Sequence, residues 1–279
     1  MPQHRQRAPI LPLVTFLILS VVFYCVGYWL IFRLERASPL MMSVGVAAIA
    51  TCLLHRRKLS SLGFSWGANR YHWISFLIPI GIATSSYLII WGMGFAEINS
   101  GFVSETKEVY NLPHWNGFSI VLFHIFLTGT FTLLLSIPSI LGEEIAWRGF
   151  LVPELSKSMS FGGVVLVSGL LWSVFHWPLI FKGFYGSSHT PLFFQLTFFS
   201  LFIISNSVTM TYLRYKTNSV WSAVIFHASS NIFIQKIFTP LTIVNDNSAW
   251  YIDEFGMIVP IVAFLVAIYY WNKAKTEFN

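Results

Sequence analysis

The chain has 279 residues, of which 55% are hydrophobic, 18% aromatic and only 10% Asp, Glu, Lys or Arg. Soluble domains carry about 25% charged residues, so the composition excludes an ordinary soluble enzyme and describes a membrane protein. The net charge of +6 does not imply nucleic acid. No basic stripe with interleaved aromatics stands clear of the apolar runs, and inside-positive loops facing anionic lipid account for the excess.

In chain order, eight apolar runs approach the roughly 20 residues that span a bilayer: 10–32, 38–54, 73–95, 118–141, 162–181, 192–213, 219–238 and 255–271. The first follows "HRQR" but lacks a small-x-small cleavage site and continues too far for a signal peptide, so it reads as a retained span. Lipid offers backbone groups no partner, so each run is predicted helical. The fold class is therefore an all-α integral membrane protein, a bundle of about eight transmembrane helices forming one membrane domain over 1–279. Cys25 and Cys52 fall inside the first two runs and read as small apolar packing residues. A long polar connection, 96–117, and the stretches "YGSSHT" and "VNDNSAWYIDE" are expected on one side of the membrane. With the N-terminus inside, the outer segments hold only Arg33, Arg36, Lys107, Lys182 and Lys236; the other 12 of the 17 Lys and Arg, beginning with Arg5 and Arg7, lie inside. The positive-inside rule then places both termini inside. The C-terminal "TEFN" is no prenylation signal.

The fourth run ends in "LGEEIAWRGFL", residues 141–151, where three charges follow a helix with none. Ionisable groups at membrane depth are expensive and mark function, whereas at the interface they cost little. Glu144 and Arg148 are spaced i,i+4 with the acid first, the favourable order for a helical ion pair. Glu143, about 100° round the helix, is left over. Two further polar pairs share this spacing: Trp172 with His176 in "WSVFH", and His227 with Asn231 in "HASSN". A lone membrane histidine is more often a packing residue, but a free carboxylate, two histidines and an asparagine on three helices can converge on a polar cavity in a bundle core. Such a set supplies a general base and hydrogen-bond donors, the parts for hydrolysis. His176 lies 14 residues into its run, so convergence requires that the fourth helix run deeper than its apolar run or that the fifth start later; residues 142–150 are predicted to continue the fourth helix. The site is expected to face the end that carries residues 142–161.

"EEIAWR" resembles the EExxxR motif of the CPBP family of intramembrane proteases, also called the Abi or CAAX-protease-like family. "WSVFH" is similar to its FxxxH motif and "HASSN" to its HxxxN motif, in the family's order, within a core of residues 135–235. The resemblance implies an intramembrane CAAX-type endopeptidase. Glu143 would activate water with help from His176, while His227 and Asn231 would hold the oxyanion. Glu144 and Arg148 would support the site. Trp172 stands where the family usually has Phe, a larger ring that adds an N–H donor.

No metal is expected, since the HExxH spacing is absent and the resemblance leans to a glutamate-type mechanism. If a divalent ion such as zinc is used, Glu143, His176 and His227 would form the His₂Glu set. A serine mechanism lacks its GxSG motif, and an aspartyl one lacks its intramembrane aspartates: the two Asp, Asp246 and Asp253, share one loop. The expected substrate is a membrane-associated or lipid-linked peptide or protein, in the lipid bilayer of a bacterial cytoplasmic membrane, with no nucleic acid. The alternative is a non-catalytic scaffold or bacteriocin self-immunity protein on the same fold.

Overall fold

The computed structural model describes residues 10–278. Arg5 and Arg7, which contribute to the charge bias, lie outside the described residues. Among the described residues there are nine helices: α1 (Ile10–Leu34), α2 (Ser38–Leu54), α3 (Asn69–Gly92), α4 (Phe102–Val109), α5 (Gly117–Ser156), α6 (Phe161–Phe181), α7 (Leu192–Thr217), α8 (Trp221–Asn231) and α9 (Ile258–Phe278). Six are long and apolar enough to cross a membrane; α2 is a shorter apolar helix, and α8 is prolonged by a π-helical stretch, Ile232–Phe238. The eight apolar runs thus each became helix. The protein is a multi-pass membrane helical bundle. Leu17, Val21, Leu88, Leu135, Leu166 and Leu265 are exposed on its outside, as lipid-facing positions should be. Cys52 is in the core, but Cys25 points outward and does not pack.

The largest departure from the sequence reading is α5. The apolar run stops at 141, yet the helix continues to Ser156, through π-helical turns at Thr128–Thr132 and Ile145–Leu151. Every residue from Gly142 to Val152 is buried, so the charged stretch is inside the bundle and not in a loop. Pro153 explains part of this geometry. In a π turn the Arg148 carbonyl would bond the amide five residues on, and proline has none. That carbonyl instead accepts from Arg214 Nε at 3.0 Å. Likewise Pro240 cannot serve the Lys236 carbonyl, which accepts from His124 Nε2 at 3.0 Å. Freed backbone groups are thus re-paired by side chains.

Helix α5 approaches α2 without side chains between them. A Cβ on Gly142 would lie 2.7 Å from Met42 Cα, and one on Gly45 would strike the Gly142 carbonyl. Small residues of this kind let membrane helices pack backbone to backbone.

At one end of the bundle, Arg57 pairs with Glu154 at 2.6 Å, Lys216 with Glu277 at 2.9 Å, and Val220 N–H donates to Gly63 O at 2.8 Å. At the other end, Ile243 N–H donates to Glu97 O at 2.9 Å and His189 Nδ1 meets Asp246 Oδ1 at 2.6 Å. The connections "YGSSHT" and "VNDNSAWYIDE" do meet on one side, at this second end.

Candidate active site

Glu143 and Glu144 close the regular part of α5 before its second π turn, so two adjacent carboxylates face different neighbours. Glu144 and Arg148 are both completely buried, and one Arg148 nitrogen, NH1, lies 3.1 Å from each oxygen of Glu144. A second nitrogen of the guanidinium, NH2, donates to Ser207 Oγ on α7 at 3.0 Å. The Arg148 cation also stacks over the Trp172 ring, 4.1 Å from its centroid. The ion pair inferred from i,i+4 spacing is present, and Ser207 adds a third polar contact to the guanidinium.

His227 of α8 reaches the same acid. Its Nδ1 is 2.9 Å from Glu144 Oε1. An ionised carboxylate only accepts, so Nδ1 carries the proton there, and Nε2 has no protein partner among the described residues. In a neutral ring that nitrogen is an acceptor; it donates only in the imidazolium form.

Glu143 is 2% exposed. Its Oε2 accepts from Trp172 Nε1 at 2.8 Å, and His176 Nε2 stands 3.9 Å from the same oxygen. His176 is oriented from behind, because Nδ1 lies 2.9 Å from the Trp172 carbonyl, which can only accept. Its Nε2 is therefore the nitrogen that faces Glu143. The indole that departs from the resemblance's Phe thus supplies an N–H that bonds Glu143.

Glu143, Trp172, His176, His227 and Asn231 all line one cavity of about 230 Å³. Asn231, half-buried at the end of α8, lines the same cavity as His227. The rest of the wall mixes apolar side chains such as Phe202, Met210 and Phe226 with the polar Asn206, Ser230 and Gln235. Among the described residues, no group of three or more His, Cys, Asp or Glu is placed to hold a metal ion. His227 turns Nδ1 to Glu144 and His176 turns Nδ1 to the Trp172 carbonyl, which leaves each Nε2 towards the cavity, with His176 Nε2 3.9 Å from Glu143.

The expected facing of the site needs correction. The cavity includes Tyr185 and Lys236, which belong to the end of the bundle opposite residues 145–161 by their contacts with Glu254 and His124. The reason is packing: buried Ile145, Trp147, Phe150 and Leu151 fill the near end, with Phe150 tilted against Phe16 at 4.9 Å.

Several participants were not singled out from the sequence. Ser207 and Asn206 sit in "SNSVTMT", a run of small polar residues inside α7 whose Ser205, Asn206, Ser207, Thr209 and Thr211 are all buried. Hydroxyls and amides crowded into a membrane helix were the available signal. Arg214, at the end of α7, reads as an interfacial charge, yet it is buried and braces the Arg148 turn.

Residues 114–233 match the family model for type II CAAX prenyl endopeptidase Rce1-like proteins. The motif-bearing core is thus similar to the Rce1-like family. A second comparison agrees: "CAAX prenyl protease 2" of Methanococcus maripaludis is 26% identical over 159 residues, 56% of this chain and 54% of that protein. The chain therefore spans about half the length of the curated relative it matches. The Rce1-like match holds α5, α6, α7 and α8, the four helices that supply the glutamates, the histidines, Asn231, Ser207 and Arg214. Helices α1 to α4 and α9 lie outside it.

Proposed function

We propose that this protein is an intramembrane CAAX-type endopeptidase that hydrolyses a peptide bond of a prenylated, membrane-associated protein or peptide. The observation that carries the reading is Glu143: a buried carboxylate on a cavity wall, held by the Trp172 N–H at 2.8 Å, with His176 Nε2 at 3.9 Å. The similarity to CAAX prenyl endopeptidases supports the substrate class.

In this reading water lies between Glu143 and His176. Glu143 takes a proton from it as the oxygen attacks the scissile carbonyl carbon. The carbonyl π pair moves onto oxygen, and the resulting oxyanion is met by the Asn231 carboxamide N–H and by Nε2–H of an imidazolium His227. Glu144, bonded to Nδ1, holds that ring in place. The tetrahedral carbon then expels the amine as the C–N bond breaks, and the proton returns from Glu143 to the leaving nitrogen. Preorganised donors of this kind contribute about 10²–10³ in rate each.

The test is cleavage of an S-prenylated peptide by the full chain in liposomes. Glu143→Gln keeps the size and hydrogen-bonding shape but removes the base, so turnover should vanish while folding and insertion persist. Turnover by this variant at the wild-type rate overturns the mechanism. Activity that survives exhaustive chelation is the matching result for a metal-free base, and activity restored only by added zinc is the opposite one.

A further inference from the structure

A third carboxylate, absent from the motifs, touches this cavity from behind. Glu254 lies on the connection between the π-helical stretch and α9, and it is 3% exposed. Its Oε1 accepts from the Tyr185 hydroxyl at 2.6 Å and from Gln235 Nε2 at 2.8 Å. Gln235 Nε2 also lies 3.2 Å from the Tyr185 oxygen, closing a triangle. Tyr185 and Gln235 both line the cavity that holds Glu143. Each abuts a residue of the proposed chemistry. The Tyr185 ring is 5.9 Å from His176 between centroids, and is boxed by Phe199 at 5.6 Å and Phe255 at 4.8 Å. Gln235 is four residues after Asn231, on the π-helical stretch that continues α8.

A buried carboxylate is costly, and among the described residues no cation stands within ion-pair distance of Glu254. For stability alone, an apolar group of the same volume often serves as well or better. The placement of Glu254 is better explained by geometry, since one oxygen ties together two walls that are 50 residues apart in sequence. We propose that Glu254 is a positioning residue for the Glu143 site, acting on His176 through Tyr185 and on the Asn231 turn through Gln235. The proposal rests on the proposed function. Burial pushes the Tyr185 hydroxyl well above its ordinary range, so it stays a donor, and burial also raises Glu254.

The test compares Glu254→Ala, Glu254→Gln and Tyr185→Phe in the full chain, in liposomes with the S-prenylated peptide. Amide hydrogen exchange supplies a second readout. Misplacing groups by about 1 Å costs up to 10²-fold, so Glu254→Ala should lower kcat about ten- to a hundred-fold with KM changed less than about twofold. Glutamine retains an acceptor at Oε1 and should recover most of the rate. Tyr185→Phe combined with Glu254→Ala should be no worse than Glu254→Ala alone. Exchange should rise together in residues 182–187 and 232–238. Wild-type kcat for Glu254→Ala, a change in KM alone, or faster exchange confined to the connection around residue 254 overturns the proposal. If the wild type does not cleave the peptide, the proposed function fails; the exchange pattern then judges the tie on its own.

Discussion

The indole of Trp172 stands between the two glutamate systems. Its N–H donates to Glu143 at 2.8 Å, its face carries the Arg148 guanidinium at 4.1 Å, and its ring meets His227 at 5.2 Å. Trp172→Phe keeps a ring for Arg148 but removes the only N–H that fixes Glu143 among the described residues. A hydrogen bond to a charged group contributes about 1.5–3 kcal/mol, and part of that is orientation. The expected outcome is kcat lowered about tenfold, little change in KM and a nearly unchanged Tm. If kcat is unaffected, the indole N–H does not orient the base. Glu144 should fail differently, because it is itself fully buried and holds both Arg148 and His227. Breaking a buried ion pair costs about 3–5 kcal/mol, so Glu144→Ala should lose stability as well as turnover, measured as Tm and yield. Glu144→Gln, which keeps an acceptor for both partners, should lose less of each. A Glu144→Ala protein as stable as wild type removes the pair from the fold's support.

Among the elements, α5 was the hardest to read. Hydropathy ends at 141 because charge begins there, and a charge at the end of an apolar run ordinarily marks the interface. The requirement that Glu143 meet His176 predicted that 142–150 stay helical, and they do. The π turns were invisible in the pattern, since one extra residue per turn leaves no hydropathy signal, although Pro153 and Pro240 hinted at freed carbonyls. Glu254 was missed for the opposite reason: in "VNDNSAWYIDE" it looks like a solvated loop charge, and only the fold buries it. The Gly142–Gly45 contact sets how α5 lies. A Cβ at Gly142 would stand 2.7 Å from Met42 Cα, so Gly142→Ala must push α2 from α5 directly beside Glu143. Overpacking costs about 1–3 kcal/mol, and here it should also lower kcat. Gly81, inside α3 with nothing within 4 Å, is the control: Gly81→Ala should be neutral or gain about 0.5–1 kcal/mol. Equal behaviour of the two alanines in Tm and kcat rules out the close approach as a determinant of the site.

For the whole molecule, composition and eight apolar runs made the helical bundle legible, and three spaced motifs made the converging helices legible. The direction of the cavity was not, because it depends on which end the buried side chains of 145–152 fill. Orientation in the membrane rests on the charge bias alone. Arg57, Glu154, Lys216 and Glu277 mark one end by their contacts, and Tyr185, His189, Asp246 and Glu254 mark the other. The positive-inside rule puts the first end in the cytoplasm, and the cavity then extends towards the outer leaflet. Cytoplasmic prenylated chains would have to reach it sideways through the bilayer. The reverse orientation would let them enter from the end. Single cysteines at the exposed Ser158 and Ser188, in a chain with Cys25→Ser and Cys52→Ala, decide this. A membrane-impermeant maleimide added to intact cells should label position 188 and spare 158 until the membrane is opened. Labelling of 158 alone inverts the orientation and brings the cavity to the cytoplasmic face. Labelling of both from one side means that α6, the helix between the two positions, does not traverse the bilayer.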